Sequence, residues 1–106
     1  MADRSSGPYP NLSEEDLLEI AADAFLKLGI RIEERNRRSI IGTTTPSFFS
    51  WGERVLGVIH PSPSGPVFAV TVTPVVPTNL PAYASAERLA RLLTDNVKQF
   101  AGRRLA

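Results

Sequence analysis

The chain has no cysteine among its 106 residues, which excludes disulfides, thiol catalysis and every cysteine-based zinc or iron–sulfur site. A domain of this size needs no disulfides, so the absence leaves the compartment open. Histidine is almost as scarce. His60 stands alone, and catalytic zinc wants three protein ligands. Seven glycines are present, but none falls in a G-x-G-x-x-G or G-x-x-x-x-G-K-[ST] pattern that could cradle a phosphate. No apolar run approaches the roughly 18 residues of a membrane span. Residues 1–8 lack an apolar signal core. These absences set the expectations: a cytoplasmic protein with no membrane span, no cofactor and no metal site.

Charge of one sign is lacking too. The net charge is +1, split as −4 over residues 1–30, +2 over 31–60 and +3 over 61–106. That imbalance gives no steering field for nucleic acid. Ten of the twelve basic residues are arginine, which reads either as a coding bias or as bidentate recognition of anions.

What is present suits one domain. An apolar fraction of 42% can fill a core, and the length is too short for two ordinary domains. Residues 1–11 carry Gly7, Pro8 and Pro10 among polar neighbours and read as a flexible arm. A helix follows with clear signals. Ser13 is a good N-cap and Asp16 stands where a capping box needs it, while Leu12 and Leu17 are spaced for a hydrophobic staple. Leu17, Ala21, Ala24, Phe25 and Leu28 recur at helical spacing, and Gly29 is a natural stop.

From residue 30 the period changes to two. Strands are expected over about 30–35 and over Ser39–Thr44, joined by a tight turn at Asn36-Arg37-Arg38 where asparagine tolerates positive φ. A third runs Glu53–His60 and a fourth Val67–Val76, separated by Pro61-Ser62-Pro63-Ser64-Gly65-Pro66. Pro74 and Pro77 argue for an edge position at the far end of the last strand. A second helix is expected from about 82–85 to Ala101, with Leu89, Leu92, Leu93, Val97 and Phe100 inward and Gly102 as its stop. Residues 12–102 then form the domain and 103–106 a basic tail. Short connections make the strands an antiparallel meander. The expected fold is α+β: a two-layer sandwich, four strands or three, with both helices on one face.

Three large rings, Phe48, Phe49 and Trp51, fall within four positions between the second and third of these strands. They carry too much apolar surface for an ordinary loop. Around them lie Phe49-Ser50-Trp51-Gly52-Glu53, and further on Pro77-Thr78-Asn79-Leu80 and Asn96-Val97-Lys98-Gln99-Phe100. In these three stretches the chain resembles a group of small, uncharacterised bacterial domains built as helix, meander and helix. The resemblance covers roughly residues 13–101. It implies the fold, and no activity comes with it. The group's aspartate-tryptophan-glycine-lysine stretch is replaced here by Pro81-Ala82-Tyr83-Ala84. A double-stranded RNA-binding domain also runs helix, three strands, helix. Its contacts need lysines opening the second helix, where this chain has Ala82-Tyr83-Ala84-Ser85-Ala86-Glu87.

Ile40-Ile41 and Val55-Leu56 place apolar side chains on both faces of the sheet, with Ile59 and Val58 doing the same. A sheet covered on one side should alternate cleanly. The pattern therefore predicts an apolar patch opposite the helices. The expected function is a non-enzymatic interaction module, a homodimer or a binder of a protein partner, through that helix-free face. Phe48, Phe49 and Trp51 are the candidate anchors, with Arg37 and Arg38 as rim contacts. The alternative is a small-molecule or lipid binder with an apolar pocket among Phe25, Phe68, Phe100 and Trp51. His60 near Ser62 and Ser64, and Glu15 with Glu19, read as surface residues rather than as a catalytic or metal set.

Overall fold

The computed structural model describes residues 2–46, 52–75 and 80–105. The elements run β1 (Ala2–Ser6), α1 (Glu14–Lys27), β2 (Arg31–Arg35), β3 (Ser39–Thr43), β4 (Glu53–His60), β5 (Val67–Pro74) and α2 (Leu80–Leu105). All strand pairs are antiparallel, in the order β1-β5-β4-β3-β2. The meander β2 to β5 and the α+β class are as the patterning predicts. The strand count is not: there are five strands, because residues expected in a flexible arm form β1. Only Ala2 of β1 is buried, so the segment has no hydrophobic alternation to announce it. Backbone pairing from Ala2↔Val72 to Ser6↔Phe68 places it, helped by a 2.6 Å hydrogen bond from Thr71 Oγ1 to Asp3 Oδ1.

α1 begins and ends as its caps dictate. The Asp16 amide donates to Ser13 Oγ at 3.0 Å and the Ser13 amide to Asp16 Oδ2 at 3.3 Å. At the other end Gly29 takes φ +74. There the Ile30 amide reaches Phe25 O and the Gly29 amide reaches Leu26 O, a Schellman stop. The β2–β3 turn closes differently from expectation. No described non-glycine residue has positive φ. Asn36 works through hydrogen bonds instead, with its amide on Ser39 O and its side chain on Glu34 and Ser39.

α2 is longer than the expected element. Gly102 does not stop it, and Arg103 and Arg104 lie in its last turns rather than in a tail. Arg104 is held across the helix pair: its guanidinium contacts Asp16 O at 3.2 Å and Glu19 Oε2 at 3.1 Å. The edge expected from Pro74 is not found: β5 lies between β1 and β4, and Pro74 pairs with Glu53 on the β4 side, while Pro77 lies outside the described residues.

Both helices cover one face of the sheet. The buried strand residues Ile40, Val55, Ile59, Phe68, Val70 and Val72 share a core with Leu17, Ala21 and Phe25 of α1 and Ala86, Ala90, Leu93 and Val97 of α2. Two glycines shape that core. A Cβ at Gly57 would lie 3.0 Å from Phe68 and 3.3 Å from Phe25, and one at Gly42 would lie 2.7 Å from Ile30 and 3.3 Å from Phe25. Gly42 and Gly57, on neighbouring strands, therefore form the dent into which the Phe25 ring settles. No described helix is long and apolar enough to cross a membrane.

Candidate functional site

The helix-free face follows from strand alternation. Directly opposed residues of antiparallel strands share a face, and the register sets Ile41 against Leu56, Leu56 against Thr71, and Thr71 against Asp3. On the other side of β3 the same row continues to Glu34. Neighbouring rows hold Ser39, Val58, Ala69 and Ser5 on one side and Arg31, Thr43, Arg54 and Thr73 on the other. Their inward neighbours Ile40 and Val55 are fully buried, whereas Ile41 and Val58 are half-buried and Leu56 is 40% exposed. The predicted apolar residues are thus divided between two faces as their parity requires. At the centre, Ile41, Arg54, Leu56, Thr71 and Thr73 border a shallow depression of about 270 Å³.

Of the candidate contacts, Phe48, Phe49 and Trp51 lie outside the described residues. Arg37 and Arg38 sit exposed in the β2–β3 turn, at the end of β3 away from Thr43. Arg38 Nε lies 3.0 Å from Glu14 Oε1 without the alignment of a hydrogen bond, an ion pair across to the start of α1. The cleft between them, about 680 Å³, also takes in Ser13, Glu15, Leu18 and Arg35. Mixed charge lines it, and Arg38 is already engaged there. The turn arginines and the apolar centre of the sheet are not brought together into one site.

A residue outside that set proves to be the most enclosed charge. Glu53, at 4% exposure, opens β4. Its Oε1 accepts from Ser85 Oγ at 2.6 Å, its Oε2 accepts from Thr44 Oγ1, and its own amide donates to Thr44 Oγ1 at 2.8 Å. Gly52, φ +98, leads into it, and a Cβ there would lie 2.7 Å from Thr44 O. Three elements meet at one carboxylate: the ends of β3 and β4 and the first turns of α2. Hydroxyl donors on both oxygens fix the position of the carboxylate. Parity marks Glu53 in the sequence, since Glu53, Val55, Gly57 and Ile59 are the inward residues of β4. A charge at an inward position needs partners.

The remaining candidates behave as surface residues. His60 is exposed at the end of β4, Ser62 Oγ donates to Gly65 O within its turn, and Glu19 pairs with Arg104. Among the described residues no group of three His, Cys, Asp or Glu side chains is placed to hold a metal. Phe25 and Phe68 are fully buried and close on Gly57, and Phe100 lies half-buried under Lys27 and Arg103. No protein-family model matches the chain and no curated protein does.

Proposed function

We propose that this chain is a non-enzymatic, cytoplasmic interaction module that pairs with a second copy of itself through the helix-free sheet face. The observation that carries the reading is Leu56. It is 40% exposed at the middle of the middle strand, flanked by Ile41 and Val58 and ringed by threonines. Two features favour a copy of this chain over an unrelated partner. The face is balanced in charge, with Asp3 and Glu34 against Arg31 and Arg54. A two-fold axis along β4 would set Leu56 against Leu56 and the β1 side of one copy over the β2 side of the other. The same axis would set Asp3 over the other copy's Glu34 and Arg54 over Arg54, so the apolar centre and not charge would hold the pair, with each contact made twice.

Area sets the strength. Five strands at the usual spacing, five to eight residues long, present roughly 400–650 Å² per copy. A standard stable interface takes about 800 Å² from each partner. The pair therefore belongs to the weak, concentration-dependent class. A small apolar ligand between helices and sheet draws less support, because Phe25 and Phe68 leave no space at Gly57.

Sedimentation velocity between about 5 and about 500 µM tests the reading. A reversible monomer–dimer shift is expected, and Leu56→Asp should hold the protein monomeric throughout while leaving its folded spectrum intact. A wild type that stays monomeric at the highest concentration, or a Leu56→Asp variant that dimerises like wild type, overturns it.

A further inference from the structure

On the helix side, the sheet turns polar at its β1 edge. Arg4 pairs with Val70 and Ser6 with Phe68, and both partners are buried under the helices. Arg4 and Ser6 therefore face α2, which offers Thr94, Asp95 and Lys98 there. A cleft of about 360 Å³ lies between these residues and Tyr9. Its wall contains two hydroxyls, Ser6 Oγ and Tyr9 Oη, that are buried with no hydrogen-bond partner in the protein. Buried polar groups are ordinarily paired, and an unpaired one is costly. Thr94, 5% exposed, donates only to carbonyls of its own helix, so its lone pairs are open to a donor.

The charges around the cleft are also unmatched. Arg4, Asp95 and Lys98 all line it, yet none is within ion-pair distance of an opposite charge among the described residues. Two cations and one anion, unpaired around hydroxyls, suit a ligand carrying charges of both signs. We infer that this cleft binds a free α-amino acid. The carboxylate meets Arg4 and Lys98, with arginine offering its planar fork. The ammonium meets Asp95. Pro8 and the Tyr9 ring supply an apolar wall for a side chain. A phosphate dianion fits less well, since Asp95 repels it. The volume lies near the lower end for ligand pockets, which suits a single small molecule rather than a peptide. The cleft is on the opposite side of the sheet from Leu56, so the inference stands or falls apart from the dimer.

Titrating amide chemical shifts with each standard L-amino acid tests it, with acetate, methylammonium and inorganic phosphate as controls. At least one amino acid is expected to give saturable shifts centred on Ser6, Tyr9 and residues 94–98. Arg4→Gln and Asp95→Asn, both at exposed positions, should each weaken that binding by about tenfold with spectra otherwise unchanged. Saturation by no amino acid at millimolar concentration overturns the inference. So does acetate or phosphate binding as tightly as any amino acid, or binding that neither variant disturbs.

Discussion

Ser85 Oγ donates a 2.6 Å hydrogen bond to Glu53 Oε1, joining α2 to the first residue of β4 through a carboxylate that is 4% exposed. Hydrogen bonds to charged groups contribute about 1.5–3 kcal/mol. Ser85→Ala should therefore lower stability by about 2 kcal/mol in urea denaturation, with the m-value unchanged. Glu53→Ala should cost at least as much, because it deprives Ser85 and Thr44 together. A loss below about 0.5 kcal/mol for Ser85→Ala would mean that the hydroxyl does not hold the helix.

Gly57→Ala tests the dent under Phe25. The added methyl would press on Phe68 at 3.0 Å and Phe25 at 3.3 Å, and overpacking costs about 1–3 kcal/mol. A lowered urea midpoint is expected. Gly102→Ala meets nothing within 4 Å and should instead stabilise the end of α2, by up to about 1 kcal/mol.

Arg104 reaches Glu19 at 3.1 Å and Asp16 at 3.7 Å from a side chain 42% exposed. Exposed pairs contribute only about 0.2–1 kcal/mol and are screened by salt. Arg104→Ala should cost that little at low ionic strength. Thermal melts in about 1 M salt should bring wild type and variant nearly together. A difference that survives the salt would assign the effect to packing of the arginine stem.

If the sheet faces pair, the dimer binds the folded state only, and the melting temperature should rise with protein concentration. Differential scanning fluorimetry over a hundredfold dilution, with Leu56→Asp beside wild type, measures this. The variant's melting temperature should be flat across the series.

How much of this was legible in the sequence varies with the kind of interaction. Period-two runs and capping residues are local, so β2 to β5 and the start of α1 can be placed from the residues themselves. The split of Ile40 from Ile41 and of Val55 from Leu56 between two faces is also a matter of parity, and the exposed Leu56 follows from it. β1 was hidden because its pairing is made by backbone groups common to every residue, against a strand far along the chain. The extent of α2 was hidden for a related reason: Arg104 finds its partners on α1, some 85 residues away. Glu53 lay in plain view at an inward position, but its hydroxyl partners come from Thr44 and Ser85, which no spacing rule brings together.

The pairing of β1 with β5 also orders events in time. Asp3 and Thr71 are 68 positions apart, so on the ribosome β1 emerges before the strand that will hold it. At usual translation rates the wait is roughly 3–14 s. The β2–β5 meander joins neighbours in sequence and closes its loops at little entropic cost. For that interval β1 is an extended segment without its partner, and any other strand edge it met before β5 emerged would compete with β5 for the same row of amides.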